Sequence, residues 1–333
     1  MASKKSRKTQ MLIVVGVVAV LAVVAFTLPR FSKKSSVIRI GIMQIVEHPA
    51  LDASRDGFIK RLTELGFEEG KDIKYTVQNA QGDMAIAQSI AGNFVSENVD
   101  MILAIATPTA QAAAKATQDI PIVITAVTDP VAAGLVDSIL TPGTNVTGTS
   151  DLTPVAKQLE LLTRLAPDTE RVGVIYNAGE TNSLVQVDLA REAARELGLE
   201  LVEVTVSSSS GVYEAAQSLV GRVDTVYVPT DNTVVSALES VIKVGEDFRI
   251  PVIVGEVDGV RRGALATVGI DYYVLGMQTA DIAARILKGE REPKDIPIEY
   301  LEDIQIALNL VAADKMGVIV PRDLIDEAYE VIR

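Results

Sequence analysis

The sequence contains no cysteine, no tryptophan and a single histidine, His48. Without cysteine there is no disulfide framework, no thiolate zinc site, no cysteine nucleophile and no residue to carry a lipid anchor. One histidine excludes a multi-histidine metal site. Aromatic residues are scarce, eight Tyr and six Phe among 333 residues, which argues against a base-stacking surface. Acids are missing from residues 1–36, which hold seven Lys/Arg; the other 297 residues hold 24 bases against 44 acids. So acidic a body is a poor partner for nucleic acid, and none is expected.

What is present is an ordinary globular balance, 48% hydrophobic and 23% charged, in a chain long enough for two domains. The amino-terminal segment stands apart. Lys4, Lys5, Arg7 and Lys8 precede Met11–Leu28, 18 residues without a charge, and Arg30, Lys33 and Lys34 follow. Charge before an apolar run is the signal-peptide pattern. The run exceeds the usual core of about 7–15 residues and has no clear small-residue cleavage site. It is read as an uncleaved signal anchor, with residues 1–36 as anchor and linker and residues 37–333 outside the cytoplasm; a cleaved signal is the alternative.

Beyond it, short Val/Ile-rich runs alternate with longer helical patterns. VIRIGIM (37–43), IKYTV (73–77), DMILAIA (100–106) and PIVIT (121–125) read as strands, with helices near 50–65, 83–96 and 109–117. The pattern then restarts with RVGVIY (171–176), LELVEV (199–204), DTVYV (224–228) and PVIV (251–254). Gly41 and Gly66 are 25 residues apart, as are Gly173 and Gly198; Asp100 and Asp224 open the third strands, and Pro121 and Pro251 the fourth. Apolar strands alternating with helices make a parallel sheet covered on both faces. The fold class expected is therefore α/β, two similar doubly wound lobes joined by a multi-strand hinge. The boundaries expected are 37–147 plus about 262–300 for the first lobe, and 148–261 plus about 301–333 for the second. A last helix is expected near 323–332.

Ligands of open parallel sheets bind beyond the carboxyl ends of the strands. The loops there are rich in Thr, Asn, Asp, Glu and Gly, and they lack the nucleophile-and-base pairing of catalysis. No phosphate loop and no dinucleotide fingerprint is present, so no cofactor is expected. His48 has no nucleophile beside it; it can serve a ligand, an interdomain hydrogen bond or the loop alone. Asp129, Asp231, Glu256 and Asp258 can be read as a hard-cation site, but each also fits a helix cap, the commoner role, and no metal is expected. Thr107 and Thr109 open a helix whose free N–H groups and partial positive charge suit a carboxylate; capping alone is the other reading. Glu256, on the second lobe, can hold an ammonium. Opposite charges held by opposite lobes suit a zwitterion in a closing cleft.

The runs QIVEHPALDASRDGF, NAQGD, AIATPTAQAAA, AVTDPVAAGLV, PGTNVTGTSD, PVAKQLELL, RVGVIYNAGETNSLVQV, YVPTDNTVVSA and DYYVLG resemble the substrate-binding proteins of tryptophan/tyrosine-type ABC uptake systems. The resemblance spans roughly Ile38–Gly317. It implies a type I periplasmic-binding-protein fold, an aromatic or other hydrophobic amino acid as ligand, and delivery to a permease powered by a cytoplasmic ATPase. Family members from one-membrane bacteria are commonly lipoproteins; here the apolar amino-terminal helix would replace the missing lipidated cysteine.

The protein expected is thus a monomeric solute-binding component of an ABC importer, and not an enzyme. A receptor domain of the same fold, working through a separate signalling partner, is the alternative. The ligand carboxylate is expected at Thr107 and Thr109 with Thr128 nearby, and the ammonium at Glu256, or else Asp231 or Asp151. Asn182 and Gln44 are expected to add polar contacts, with Tyr176 beside the side chain. Tyr227, Tyr272 and Tyr273 are the remaining stacking candidates, so an aliphatic ligand also stays open.

Overall fold

The computed structural model describes residues 37–333. The expected signal anchor at 11–28 lies outside the described residues, and among those described no helix is long and apolar enough to cross a membrane.

The chain first lays down β1 (Ile38–Gln44), α1 (Pro49–Glu64), β2 (Ile73–Asn79), α2 (Met84–Ser96), β3 (Met101–Ile105), α3 (Thr107–Ala116), β4 (Ile122–Val127) and β5 (Val146–Ser150). It then repeats the scheme with α4 (Val155–Leu165), β6 (Arg171–Tyr176), α5 (Thr181–Leu197), β7 (Glu200–Thr205), α6 (Val212–Ser218), β8 (Thr225–Val228), α7 (Asn232–Val235), α8 (Leu238–Phe248), β9 (Val252–Val254), α9 (Val257–Arg261) and β10 (Ala266–Gly269). The closing elements are α10 (Tyr272–Leu287), β11 (Glu299–Tyr300), β12 (Gln305–Asn309), α11 (Leu310–Met316), α12 (Arg322–Glu327) and β13 (Glu330–Ile332).

The strands form two sheets. One has the order β11-β5-β4-β3-β1-β2, the other β13-β12-β10-β9-β8-β6-β7. All pairings are parallel except β10 with β12. Central strands β3 and β4 are buried at every residue, as strands covered on both faces must be, whereas edge strand β2 is half-exposed. Each sheet has its own apolar core: one holds Ile40, Phe58, Phe94 and Leu103, the other Leu162, Val174, Tyr227 and Ile253. Gly66 and Gly198 both carry positive φ where the helix after β1 and the helix after β6 turn into the next strand, as their matched spacing predicts.

The late chain departs from expectation in two places. β10 pairs with β9 and β12, so the chain stays in the second lobe through Gly269 rather than leaving it near 262. Likewise β5 is hydrogen-bonded to β4 through Ser150, so the first crossing follows Ser150 rather than 147. The helix expected at 323–332 ends at Glu327; Glu330–Ile332 pairs with β12 as strand β13. The pull is tertiary: the Tyr329 N–H donates to the Ile306 carbonyl, and the Arg261 guanidinium holds Glu330.

The lobes are connected three times, after β5, after β10 and between β11 and β12. The second crossing is anchored by a close helix-to-helix contact. A methyl group on Gly57 of α1 would meet the Tyr273 carbonyl oxygen at 2.1 Å, and one on Gly276 of α10 would meet that of Ser54 at 1.9 Å. Only hydrogen fits at either position, so the two backbones touch. This contact sets the start of α10 beside the second turn of α1, next to the residues on the cavity wall.

Candidate functional site

A narrow cavity of about 10 Å³, nearly filled by its own walls, lies between the lobes. His48, Ala50, Leu51, Ala126 and Tyr272 line it from the first lobe, Asp151 from the first crossing, and Asn182, Thr230, Asp231, Asn232, Val235 and Glu256 from the second lobe. A wider cleft of about 330 Å³ shares Asn232 and is lined by Ile45, Val46, Met84 and Pro108 on one side and Asn177, Glu180 and Ser208 on the other.

Glu256 lies two residues beyond β9 and occupies the position before α9, yet its side chain makes no capping hydrogen bond to that helix. It is 2% exposed, and neither carboxylate oxygen has a hydrogen-bond partner. Burial, reinforced by the negative charge of Asp258, pushes its pKa up to about 7; the nearby N–H groups of Gly259 and Asp258 and the charge of Arg262 offset this only in part. A buried carboxylate with only two helix N–H groups near it and no hydrogen bond of normal geometry is costly and calls for a cationic partner.

Two other acids are already engaged. Asp231 caps α7, accepting from the Val234 N–H at 2.7 Å, and it also accepts from the Ser183 hydroxyl at 2.6 Å and the Asn177 N–H at 2.5 Å. Burial and the charge of Glu180 raise its pKa. Asp151 accepts from the Thr128 hydroxyl at 3.0 Å and the Tyr272 phenol at 2.5 Å, and burial raises its pKa too.

Glu180, which sequence reasoning missed, accepts five hydrogen bonds, from Asn182, from the backbone and side chain of Asn232, and from the backbone and side chain of Thr233. It fixes the two asparagines that face the cavity. The Asn182 nitrogen donates to Thr230 and Glu180, which leaves the amide oxygen buried without a partner.

His48 stands at the amino-terminal cap position of α1, with its Nδ1 buried and unpartnered. Burial, aided by the positive charge of Arg262 and opposed by a hydrogen bond to Asn232, lowers its pKa to about 3, so the ring is neutral at physiological pH. Behind it, the N–H groups of Ala50 and Leu51 belong to the unsatisfied first turn of a 16-residue helix. Pro49 at the start costs nothing, since its missing N–H has no intrahelical acceptor to lose.

Of the residues expected in the site, Asp151, Asn182, Asp231 and Glu256 line the cavity, and Thr128 stands behind Asp151. Four are elsewhere. Thr109 donates back to the carbonyls of Ile105 and Ala106, and its neighbour Thr107 is buried off the cavity wall. The Gln44 amide is held by Val46 and Asp52. The Tyr176 phenol donates to Glu203 on edge strand β7, away from the cavity. The helix terminus on the cavity wall is therefore that of α1, not α3. The only sequence signal for this was the His-Pro pair at a strand-to-helix turn. Backbone strain marks the same region: Ala126, on the wall, has φ 55° at the irregular end of β4, and Ala106 before α3 has φ 81°.

Two α/β lobes around a closed polar cavity define a bilobal binding protein. The chain belongs to the ABC transporter substrate binding protein family, whose family model matches residues 39–332. It is similar to a tyrosine-binding protein of Clostridioides difficile (strain R20291), 49% identical over 278 residues, or 84% of this chain and 80% of the relative. Among solved structures it resembles an ABC domain from Streptococcus pneumonia in complex with L-Trp, with TM-score 0.86 at 33% identity over 89% of this chain and 100% of the other. It also resembles the ligand-free, open structure of a substrate-binding protein with adhesive properties from Clostridium difficile, with TM-score 0.67 at 47% identity over 89% and 99%. The shape is thus nearer the ligand-bound relative although the sequence is nearer the open one.

Proposed function

We propose that the protein binds an aromatic or other hydrophobic amino acid between its lobes and passes it to a membrane permease driven by a cytoplasmic ATPase. The observation that carries this reading is the buried, unpartnered carboxylate of Glu256 facing the first turn of α1 across the cavity. The ligand ammonium meets Glu256 and the free oxygen of Asn182. The ligand carboxylate meets the N–H groups of Ala50 and Leu51, in place of the α3 terminus. Asp151 and Asp231 shape the wall. The side chain reaches toward the cleft flanked by Ile45, Val46, Met84 and Pro108. The ligands of the relatives, tyrosine and L-Trp, support this class.

The test is calorimetric titration with L-tyrosine, L-tryptophan and L-leucine, together with solution scattering. A ligand that contacts both lobes favours the closed form by its differential affinity, so saturation should lower the radius of gyration. No binding of any of the three amino acids would refute the reading.

The proposal includes an extracytoplasmic body tethered by the uncharged run Met11–Leu28, and a monomer in solution. The mature protein should retain that run and fractionate with membranes. A mature amino terminus near Phe31 or Val37 would show instead that the segment is a cleaved signal.

A further inference from the structure

We infer that the interlobe cavity selects its ligand by the ammonium group and therefore also takes aromatic primary amines that have no carboxylate. The inference rests on the amino-acid reading above and widens the ligand class of the same site.

The cavity wall offers buried acceptors at one end. Both oxygens of Glu256 and the Asn182 oxygen lack partners, and all three atoms belong to residues at most 3% exposed. The orientation of the Asn182 amide is fixed, because its nitrogen already donates to the Thr230 carbonyl. His48 adds a further unpartnered nitrogen without adding charge, since the ring is neutral. An ammonium, with three N–H donors and no acceptor, is the group that matches such a wall. No lysine or arginine lines the cavity. Arg262, the nearest cation acting on the site, is held by two hydrogen bonds to Glu239 and one to the Val235 carbonyl.

The other end is built differently. A ligand carboxylate there has backbone N–H groups of α1 and no charged side chain. The two ends are thus unequal in what a missing ligand group leaves behind. Without the carboxylate, neutral N–H groups at a helix terminus are left, and a water can take them. Without the ammonium, a buried carboxyl side chain is left with no partner, the more costly loss.

Calorimetry on the full-length protein with L-tyrosine, tyramine and desamino-tyrosine, repeated with tryptophan, tryptamine and indolepropionate, decides this. The amine should bind within about 100-fold of the amino acid, the loss of a charge-assisted bond to backbone donors. The desamino acid should bind more weakly by roughly 1,000-fold or more, the loss of a buried charged pair. Amino-acid binding with no detectable amine binding would overturn the inference and leave the amino-acid reading standing. A desamino acid binding as tightly as the amine would overturn it also. Amine binding without amino-acid binding would support the inference and refute the reading, and no binding by any compound would refute both.

Discussion

The phenol of Tyr272 donates to the carboxylate of Asp151 across 2.5 Å. Asp151 follows β5 at the first crossing between lobes, and Tyr272 begins α10 just after the second. One hydrogen bond therefore ties two of the three connections together beside the cavity. Both groups are fully enclosed: burial and the Asp151 charge hold the phenol well above its ordinary value, whereas the phenol's hydrogen bond offsets part of the upward push of burial on Asp151.

Replacing Tyr272 with Phe should leave Asp151 with Thr128 as its one side-chain donor. Loss of a partner from a buried carboxylate costs about 1–3 kcal/mol. Thermal unfolding of the ligand-free variant should fall by several degrees. An unchanged melting temperature would mean that the pair contributes nothing to holding the crossings.

Glu256→Gln keeps the shape of the side chain and removes its charge. Affinity for the amino acid should fall by roughly 30-fold to several thousand-fold, as for truncation of a buried charged pair. The ligand-free protein should be no less stable, because a buried carboxylate without donors is itself unfavourable. Near-unchanged affinity by calorimetry would remove Glu256 from the site.

The pH dependence follows from the same residue. Its folded pKa of about 7 lies above the ordinary carboxyl value of 4.5, so between these pH values the folded state holds a proton that the unfolded state has lost. Stability of the ligand-free protein should therefore decline as pH rises through that window and level off above it, by about 3 kcal/mol from this group. A bound ammonium favours the ionised form, so binding near pH 6 should release about one proton. Affinity should then weaken as pH falls below 7. Titrations in buffers of different ionisation enthalpy measure the proton count, and a value of zero would contradict the assignment.

Gly276→Ala places a methyl group where the Ser54 carbonyl oxygen stands. Because the obstacle is backbone, α1 and α10 must separate, at a cost of about 1–3 kcal/mol or more. The same shift moves Tyr272 and the first turn of α1 on the cavity wall. Melting temperature and ligand affinity should both fall; a drop in stability alone would show that the helix contact does not position the site.

Much of this architecture is local and was legible. Alternating apolar strands and helices, matched glycines at positions 41, 66, 173 and 198, and aspartates at helix starts announce their roles through neighbours a few residues away. Asp151, Asn182, Asp231 and Glu256 share one cavity wall because the carboxyl ends of parallel strands converge by topology alone.

Tertiary structure decided what depends on partners distant in sequence. Whether a hydroxyl faces a cavity or its own helix separates Thr109 from the site, and a carboxylate on an adjacent edge strand turns Tyr176 away. Sequence placed an anion-binding helix terminus at α3; the contacts of Gly57 with Tyr273 and of Ser54 with Gly276, more than 200 residues apart, hold α1 against α10 beside the wall. The allocation of β10 to the second sheet and of residues 330–332 to a strand likewise rests on pairings with β12, far along the chain. Periodicity and capping are properties of a segment, whereas the partner that claims a polar group, and the face on which it is held, exist only once the lobes have packed.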